Sequence, residues 1–194
     1  MSEHLKEGYL TGKLLLAMPN MGDPRFHRSV IYMTNHDENG AMGLVINHAI
    51  PSVEFKDILK QLPFKSDIEI DPAALSVPIM LGGPVEAGRG FLLHSSEFSQ
   101  KQTVSVDDYV SVTATIDALQ EIAKGKGPQE RMLILGYAGW EAGQLDAEIQ
   151  NNSWLVADAD SGLIFDVPHE EKWQAAVASL GFDPGMLVGD AGKA

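Results

Sequence analysis

The β-forming segments of this 194-residue chain are short, numerous and set apart by glycine and proline, and no other property restricts its fold as strongly. Residues 13–18 form an apolar run stopped by Pro19-Asn20-Met21-Gly22-Asp23-Pro24. Residues 29–34 and 42–47 are β-rich and joined by a loop containing Asn39-Gly40, a dipeptide suited to the positive φ angles of a primed hairpin turn. Residues 77–81 and 90–93 read as strands around a glycine-rich segment at 82–90, with more β signal at 103–113. A buried strand at 131–137 is expected to break at 139–143, and residues 153–157 and 162–166 read as a last strand pair.

Helical periodicity is confined to short stretches between these runs. Phe55, Ile58, Leu59 and Leu62 recur at i, i+3, i+4 and i+7, with Ser52 as expected N-cap and Pro63 as stop. A second helix spans 116–124 and ends at Gly125, and a third spans 144–151. Pro168 is expected to open the last one, with Glu170 and Glu171 in its first turn, Trp173, Ala176, Val177 and Leu180 on its apolar face, and Gly181 as its end. Residues 64–76 and the tail read as loop. The order is not a βαβ alternation, which argues against a doubly wound nucleotide-binding fold. The expectation is α+β: one domain over residues 1–194, with a coiled, partly barrel-like mixed β-sheet flanked by three or four short helices.

Composition narrows the chemistry. There is no cysteine, so disulfides, thiolate nucleophiles and cysteine-based metal sites are excluded. Fourteen Lys and Arg against 27 Asp and Glu give a formal charge of -13, a field that repels phosphate backbones and disfavours nucleic acid as a partner. The imbalance is uneven: residues 1–64 carry 6 basic and 7 acidic side chains, residues 65–194 carry 8 and 20. Much of that excess serves solubility on any reading. The polar first eight residues and the brevity of the apolar run at 14–18 predict neither a signal peptide nor a membrane span, hence a cytoplasmic protein. Asn151-Asn152-Ser153 fits a glycosylation acceptor but, without a secretory signal, reads as a helix end.

No complete catalytic or cofactor motif is present. The segment at 82–90 lacks the lysine and hydroxyl of a P-loop and the GxGxxG spacing, so its glycines are read as permitting close backbone approach, while Arg89 could grip a carboxylate or phosphate. Histidines 4, 27, 36, 48, 94 and 169 show no metal-ligand spacing, and neither a metal nor a cofactor is expected. Asp158-Ala159-Asp160-Ser161-Gly162 begins like a calcium loop but fails at the later positions and reads as a turn. His94 beside Ser95 and Ser96 lacks a nucleophile elbow. Glu141 with Asp146 or Glu148 would serve acid–base chemistry if a cleft joined them, and is otherwise surface charge. The densest concentration of aromatic, glycine and polar residues is 136–148; it suits a recognition surface, or else Tyr137, Trp140 and Trp154 cap a sheet end.

Four blocks taken together resemble the YqgE/AlgH family of bacterial proteins: residues 14–42, containing AMPNMGDPRFHRSVIYMTNHDENGAM; GLVINH at 43–48; LGGPVEAGRGFLLH at 81–94; and GYAGWEAGQLDAEIQNNSWL at 136–155. The resemblance implies a single α+β domain with coiled, barrel-like sheets in a cytosolic bacterial protein, and a regulatory role suggested for one branch in alginate production. It carries over no catalytic residue. The family often ends near Gly-His-Ala where this chain has Gly189-Asp190-Ala191, so no role for that histidine transfers. A direct DNA-binding regulator is disfavoured by the charge and by the lack of a basic recognition helix.

Two functional expectations follow. The first is a non-enzymatic binding or regulatory protein that contacts a protein partner through its glycine-framed loops, with Arg25, Arg89, Trp140 and Glu141 as contact residues. The second is a small-molecule sensor or enzyme that gathers Asp23, His27, Arg89, His94 and Glu148 into one cleft. The identity of the partner and the oligomeric state are not legible in the residues.

Overall fold

The computed structural model describes residues 9–64 and 68–188; the polar N-terminal segment, the Gly189-Asp190-Ala191 departure and the tail beyond it lie outside the described residues. Among the described residues nine strands follow one another as β1 (Lys13–Ala17), β2 (Val30–Asp37), β3 (Gly40–Val45), β4 (Ile79–Leu81), β5 (Val85–Ser95), β6 (Thr103–Ser105), β7 (Val110–Thr113), β8 (Arg131–Glu141) and β9 (Trp154–Asp158). They pair in the order β6-β7-β5-β8-β3-β2-β1-β9, with every pairing on this path antiparallel, while β4 runs parallel to β8. The helices are α1 (Phe55–Gln61), α2 (Ile116–Ala123), α3 (Gln144–Gln150), α4 (Lys172–Ser179) and α5 (Pro184–Val188).

Strand β8 joins the two halves of the sheet. Its residues 131–135 pair with β5 on one side, residues 133–135 pair with β4 on the other, and residues 138–141 pair with β3. The expected break at Gly139 does not occur, because Gly139 pairs with Met42 and the ladder continues through Trp140 to Glu141. The irregularity sits instead at Gly136, with φ +75°. Here the chain leaves β4 through Gly82 and Gly83 and passes over β8 to enter β5, where Val85 faces Tyr137 and Gly90 faces Leu135. A Cβ on Gly136 would stand 2.7 Å from the Gly83 carbonyl oxygen. The glycines of this segment therefore serve a backbone crossing, and residues 86–89 are extruded as a bulge.

Alternation assigns the faces. Leu14, Leu16, Val30, Tyr32, Leu44 and Ile46 from one half meet Phe91, Leu93, Met132 and Ile134 from the other, together with Trp173, Ala176 and Val177 of α4. Side chains from both halves can share one cluster only if the sheet curls, and the result is a half-barrel enclosing α4's apolar face. On the outside, Leu145 of α3 covers Leu15, Ile31 and Trp140, and α1 and α2 cover Leu92 and Leu133. The α+β class and the curled sheet with short flanking helices expected from the sequence are thus present, and five α-helices lie among the described residues.

Local differences have local causes. The hairpin turn is Glu38-Asn39, and Asn39 is not left-handed; Asp37 Oδ1 accepts the Asn39 N–H at 2.8 Å, so the side chain supplies the turn bond and Gly40 takes φ +143° where β3 presses on Trp140. Glu54, not Ser52, precedes α1, because Val53 N–H bonds to Ile50 O and keeps Ser52 in a turn. Residues 162–166 form a π-helical turn, not a strand: Asp160 Oδ1 takes the Leu163 N–H, Val167 N–H returns to Gly162 O at 3.1 Å, and Leu163 and Ile164 are buried in the same inner cluster. Helix α4 opens at Lys172 after a turn closed by Glu171 N–H on Pro168 O, and α5 lies where loop was expected.

Candidate functional site

An open cleft of about 540 Å³ lies where residues 21–26, the start of β5, the end of β8 and helix α3 converge. One wall begins with Asp23, whose Oδ1 accepts the Arg25 N–H at 3.0 Å and so caps the short 3-10 turn Pro24–Phe26. The Arg25 guanidinium folds back on the same carboxylate, with Nε at 3.0 and 3.1 Å and Nη2 at 2.6 Å. These bonds from Arg25 hold the Asp23 carboxyl below its ordinary range and raise the guanidinium in turn. Arg25 also lies over the Phe26 ring, 6.0 Å from its centroid.

The floor is aromatic. Phe26 meets Trp154 edge-on at 5.6 Å, and Trp154 meets Trp140 edge-on at 5.9 Å. Both indoles donate to one oxygen: Trp140 Nε1 at 2.9 Å and Trp154 Nε1 at 2.8 Å from Glu148 Oε2. The other oxygen, Oε1, accepts Gln144 Nε2 at 2.9 Å, and Gln144 Oε1 accepts the Glu141 N–H at 3.0 Å. Gln144 and Glu148 are i and i+4 on α3, one face of a helix. Gly143, with φ +73°, turns the chain from β8 directly into that helix and brings this face against the strand it has just left.

Four of the residues singled out from the sequence, Asp23, Arg25, Trp140 and Glu148, line this cleft. The others are elsewhere. Glu141 is exposed at the end of β8, with its backbone N–H taken by Gln144. His27 follows the 3-10 turn, and its carbonyl lies 3.1 Å from His48 Nε2. Arg89 sits in the bulge, paired with exposed Glu86 at 3.2 Å and stacked over Phe91, and lines a different cavity. His94 is fully buried. Its Nδ1 donates to Ser95 O at 2.9 Å, so its Nε2 accepts the Thr113 hydroxyl at 2.8 Å, and burial pushes its pKa down to keep the ring neutral.

The common cleft expected for Asp23, His27, Arg89, His94 and Glu148 is therefore not formed, because alternation along β5 turns His94 into the sheet toward Thr113. Trp140, expected as a contact residue, lies in the cleft floor, 8% exposed and tied to Glu148. Trp140 and Trp154 do cap a sheet face, but Tyr137 points to the opposite one, edge-on to Phe91 at 6.0 Å. The acid pair reading fails as well: Glu148 is held by indoles, and Asp146 lies 3.9 Å from His36. Phe26, Gln144 and Ser153 were not anticipated as cleft residues; the i, i+4 spacing of Gln144 and Glu148 was the available signal for one of them. Among the described residues, no three His, Asp or Glu side chains are placed to hold a metal ion, and no helix is long and apolar enough to cross a membrane.

The sequence model of the AlgH-like family matches residues 14–185. A UPF0301 protein of Bradyrhizobium diazoefficiens is 50% identical over 191 residues, covering 96% of this chain and 89% of the relative, and one of Rhodospirillum rubrum is 48% identical over 188 residues, covering 97% and 96%. The solution structure of the AlgH protein from Pseudomonas aeruginosa superimposes with a TM-score of 0.78 at 42% identity over 100% of both chains. A crystal structure of a Corynebacterium diphtheriae protein shares the fold at 21% identity and a TM-score of 0.68, covering 92% of this chain and 90% of the other.

Proposed function

The chain belongs to the AlgH-like family, and from that premise we propose that it is a non-enzymatic binding and regulatory protein that engages a protein partner through the cleft between residues 21–26 and α3. One observation supports this reading above the others: the two carboxylates lining the cleft are already committed to neighbours. Asp23 is enclosed by Arg25 and Glu148 by two indoles and an amide, so neither is poised to exchange a proton with a bound molecule. What faces outward is contact chemistry, namely the Arg25 guanidinium, 64% exposed, and the exposed Gln144 amide on a rigid aromatic floor. In this reading Arg25 contacts the partner from the cleft and Glu141 from the exposed end of β8, and Trp140 supports the surface from below.

Gly22 offers a direct test, because it lines the cleft and nothing lies within 4 Å of where its Cβ would be. A photo-cross-linking residue at position 22, with one at equally open Gly88 as control, is expected to trap a protein from cells in the first case, with the adduct lost on adding Arg25→Ala. Identical adducts from both positions, or an adduct indifferent to Arg25→Ala, would overturn the reading.

A further inference from the structure

The cleft contains an unfinished sheet edge. In an antiparallel pair, residues that exchange hydrogen bonds with the neighbouring strand alternate with residues whose N–H and C=O point away from it. On β3, the Val45 N–H leaves β2 for Gly82 O, whereas Met42 O is turned toward β2 and accepts the Thr34 hydroxyl at 3.2 Å. On β8, the Glu141 N–H leaves β3 for Gln144 Oε1. Trp140 is therefore the residue that bonds Ala41, and Gly139, opposite Met42, directs its N–H and C=O away from β3. On that side β5 continues the sheet, but its pairing begins only at Val85 opposite Tyr137. Pro84, the residue before it, has no N–H to offer. Gly139 is exposed and lines the cleft with Pro84 and Val85, and among the described residues nothing bonds its N–H or C=O.

A molecule that completes this edge must present a donor and an acceptor side by side along one line, which every second residue of an extended polypeptide does. A helix cannot, because its backbone groups are bonded within it. The same cleft offers a cation: Asp23 holds Arg25 by Nε and Nη2 and leaves Nη1, the end through which a guanidinium grips a further carboxylate. Resting on the protein-partner reading of the cleft, we propose that the partner enters it as an extended segment that adds a strand to β8. The segment's backbone pairs with both groups of Gly139, and an Asp or Glu side chain of the same segment reaches Arg25 Nη1.

The geometry is checked in the free protein, where the Gly139 amide should exchange with solvent at least about tenfold faster than those of Ala138 and Trp140, which are bonded to β3. The probe for the partner is a library of random dodecapeptides selected on the wild-type protein. Enriched peptides are expected to carry Asp or Glu, to slow the Gly139 amide on binding, and to bind Arg25→Ala about tenfold more weakly than the wild type. Gly139→Pro removes the outward N–H at no cost in ladder bonds, and Gly139→Ala, whose Cβ would stand 3.4 Å from Tyr137 Cε2, keeps it. The proline variant should bind about tenfold or more weakly than the alanine variant. Should Gly139→Pro fail to fold, N-methylation of the peptide one position at a time replaces it: one position abolishes binding and its two neighbours tolerate the methyl group. A slow Gly139 amide in the free protein, no enriched peptide, or equal binding to the proline and alanine variants overturns the proposal. The cross-link at position 22 separates the two readings. An adduct that survives Gly139→Pro removes strand addition and leaves the partner reading standing, whereas no adduct specific to position 22 removes the reading on which it rests.

Discussion

Glu148→Ala removes the acceptor shared by two indole N–H groups, and its cost can be worked from the structure. Trp140 and Trp154 are 8% and 3% exposed, so neither N–H finds water when the carboxylate is gone. Each buried donor left unpaired costs about 1–3 kcal/mol, which gives roughly 4 kcal/mol for the pair. For a chain of this length that lowers the melting midpoint by about 8–16 °C. Glu148→Gln retains one carbonyl oxygen for the indoles but replaces charge-assisted bonds by neutral ones and sets an amide against Gln144 Nε2, so its cost is smaller, about 1–2 kcal/mol. Thermal and urea unfolding measure the order. A double-mutant cycle with Trp140→Phe isolates the pairwise coupling, expected to exceed about 0.5 kcal/mol. A midpoint loss under 3 °C for Glu148→Ala, or additive effects in the cycle, would refute the view that this carboxylate holds the cleft floor together.

Other outcomes follow from equally specific contacts. Lys172 is 2% exposed, bonds Val167 O at 2.6 Å, and is depressed to about 8 by desolvation, partly offset by Asp166 and Glu170. Its unfolded value is higher, so the unfolded chain binds more protons between about pH 8 and 10.5 and this group's contribution to stability rises with pH across that window. Comparing urea midpoints of the wild type and Lys172→Met from pH 7.5 to 10 should show the wild type gaining on the variant by about 1–3 kcal/mol; a constant difference would contradict the burial. His94 works in the acid direction: its pKa lies below the ordinary value, so the fold loses stability as pH falls below that value, and His94→Gln should flatten that limb of the profile. Gly136→Ala places a Cβ 2.7 Å from the Gly83 carbonyl at φ +75° and is expected to cost about 3 kcal/mol or more, read as a melting loss of at least 6 °C or failure to accumulate folded protein.

The residues by themselves settled the kinds of element, most of their positions and the fold class. The short unbroken apolar runs Leu14-Leu15-Leu16 and Val30-Ile31-Tyr32 are enough to place strands buried on both faces, and the pleat then sends successive residues to opposite sides. Gly82 and Gly83 are sites of close backbone approach, as expected of the glycines at 82–90, for the absence of a Cβ is a local fact, whereas Gly88 has open space around it. What the neighbours of a strand are is not local. Gly139 was expected to end β8, yet Met42 across the ladder supplies the pairing that a glycine in isolation lacks. Gly162-Leu163-Ile164 had the composition of a strand, and only Asp160's capture of Leu163 N–H together with an inner core waiting on one side made it a helical turn. The same division governs the site. Asp23, Arg25, Trp140 and Glu148 were each picked out by residue type, but their assembly, and the exclusion of His27, Arg89 and His94 from it, depended on how segments more than 100 residues apart in sequence are brought together by sheet pairing. Residue chemistry is carried by each side chain alone; which side chains meet, and whether a carboxylate is left free or bound by two indoles, is decided by long-range packing that no local pattern encodes.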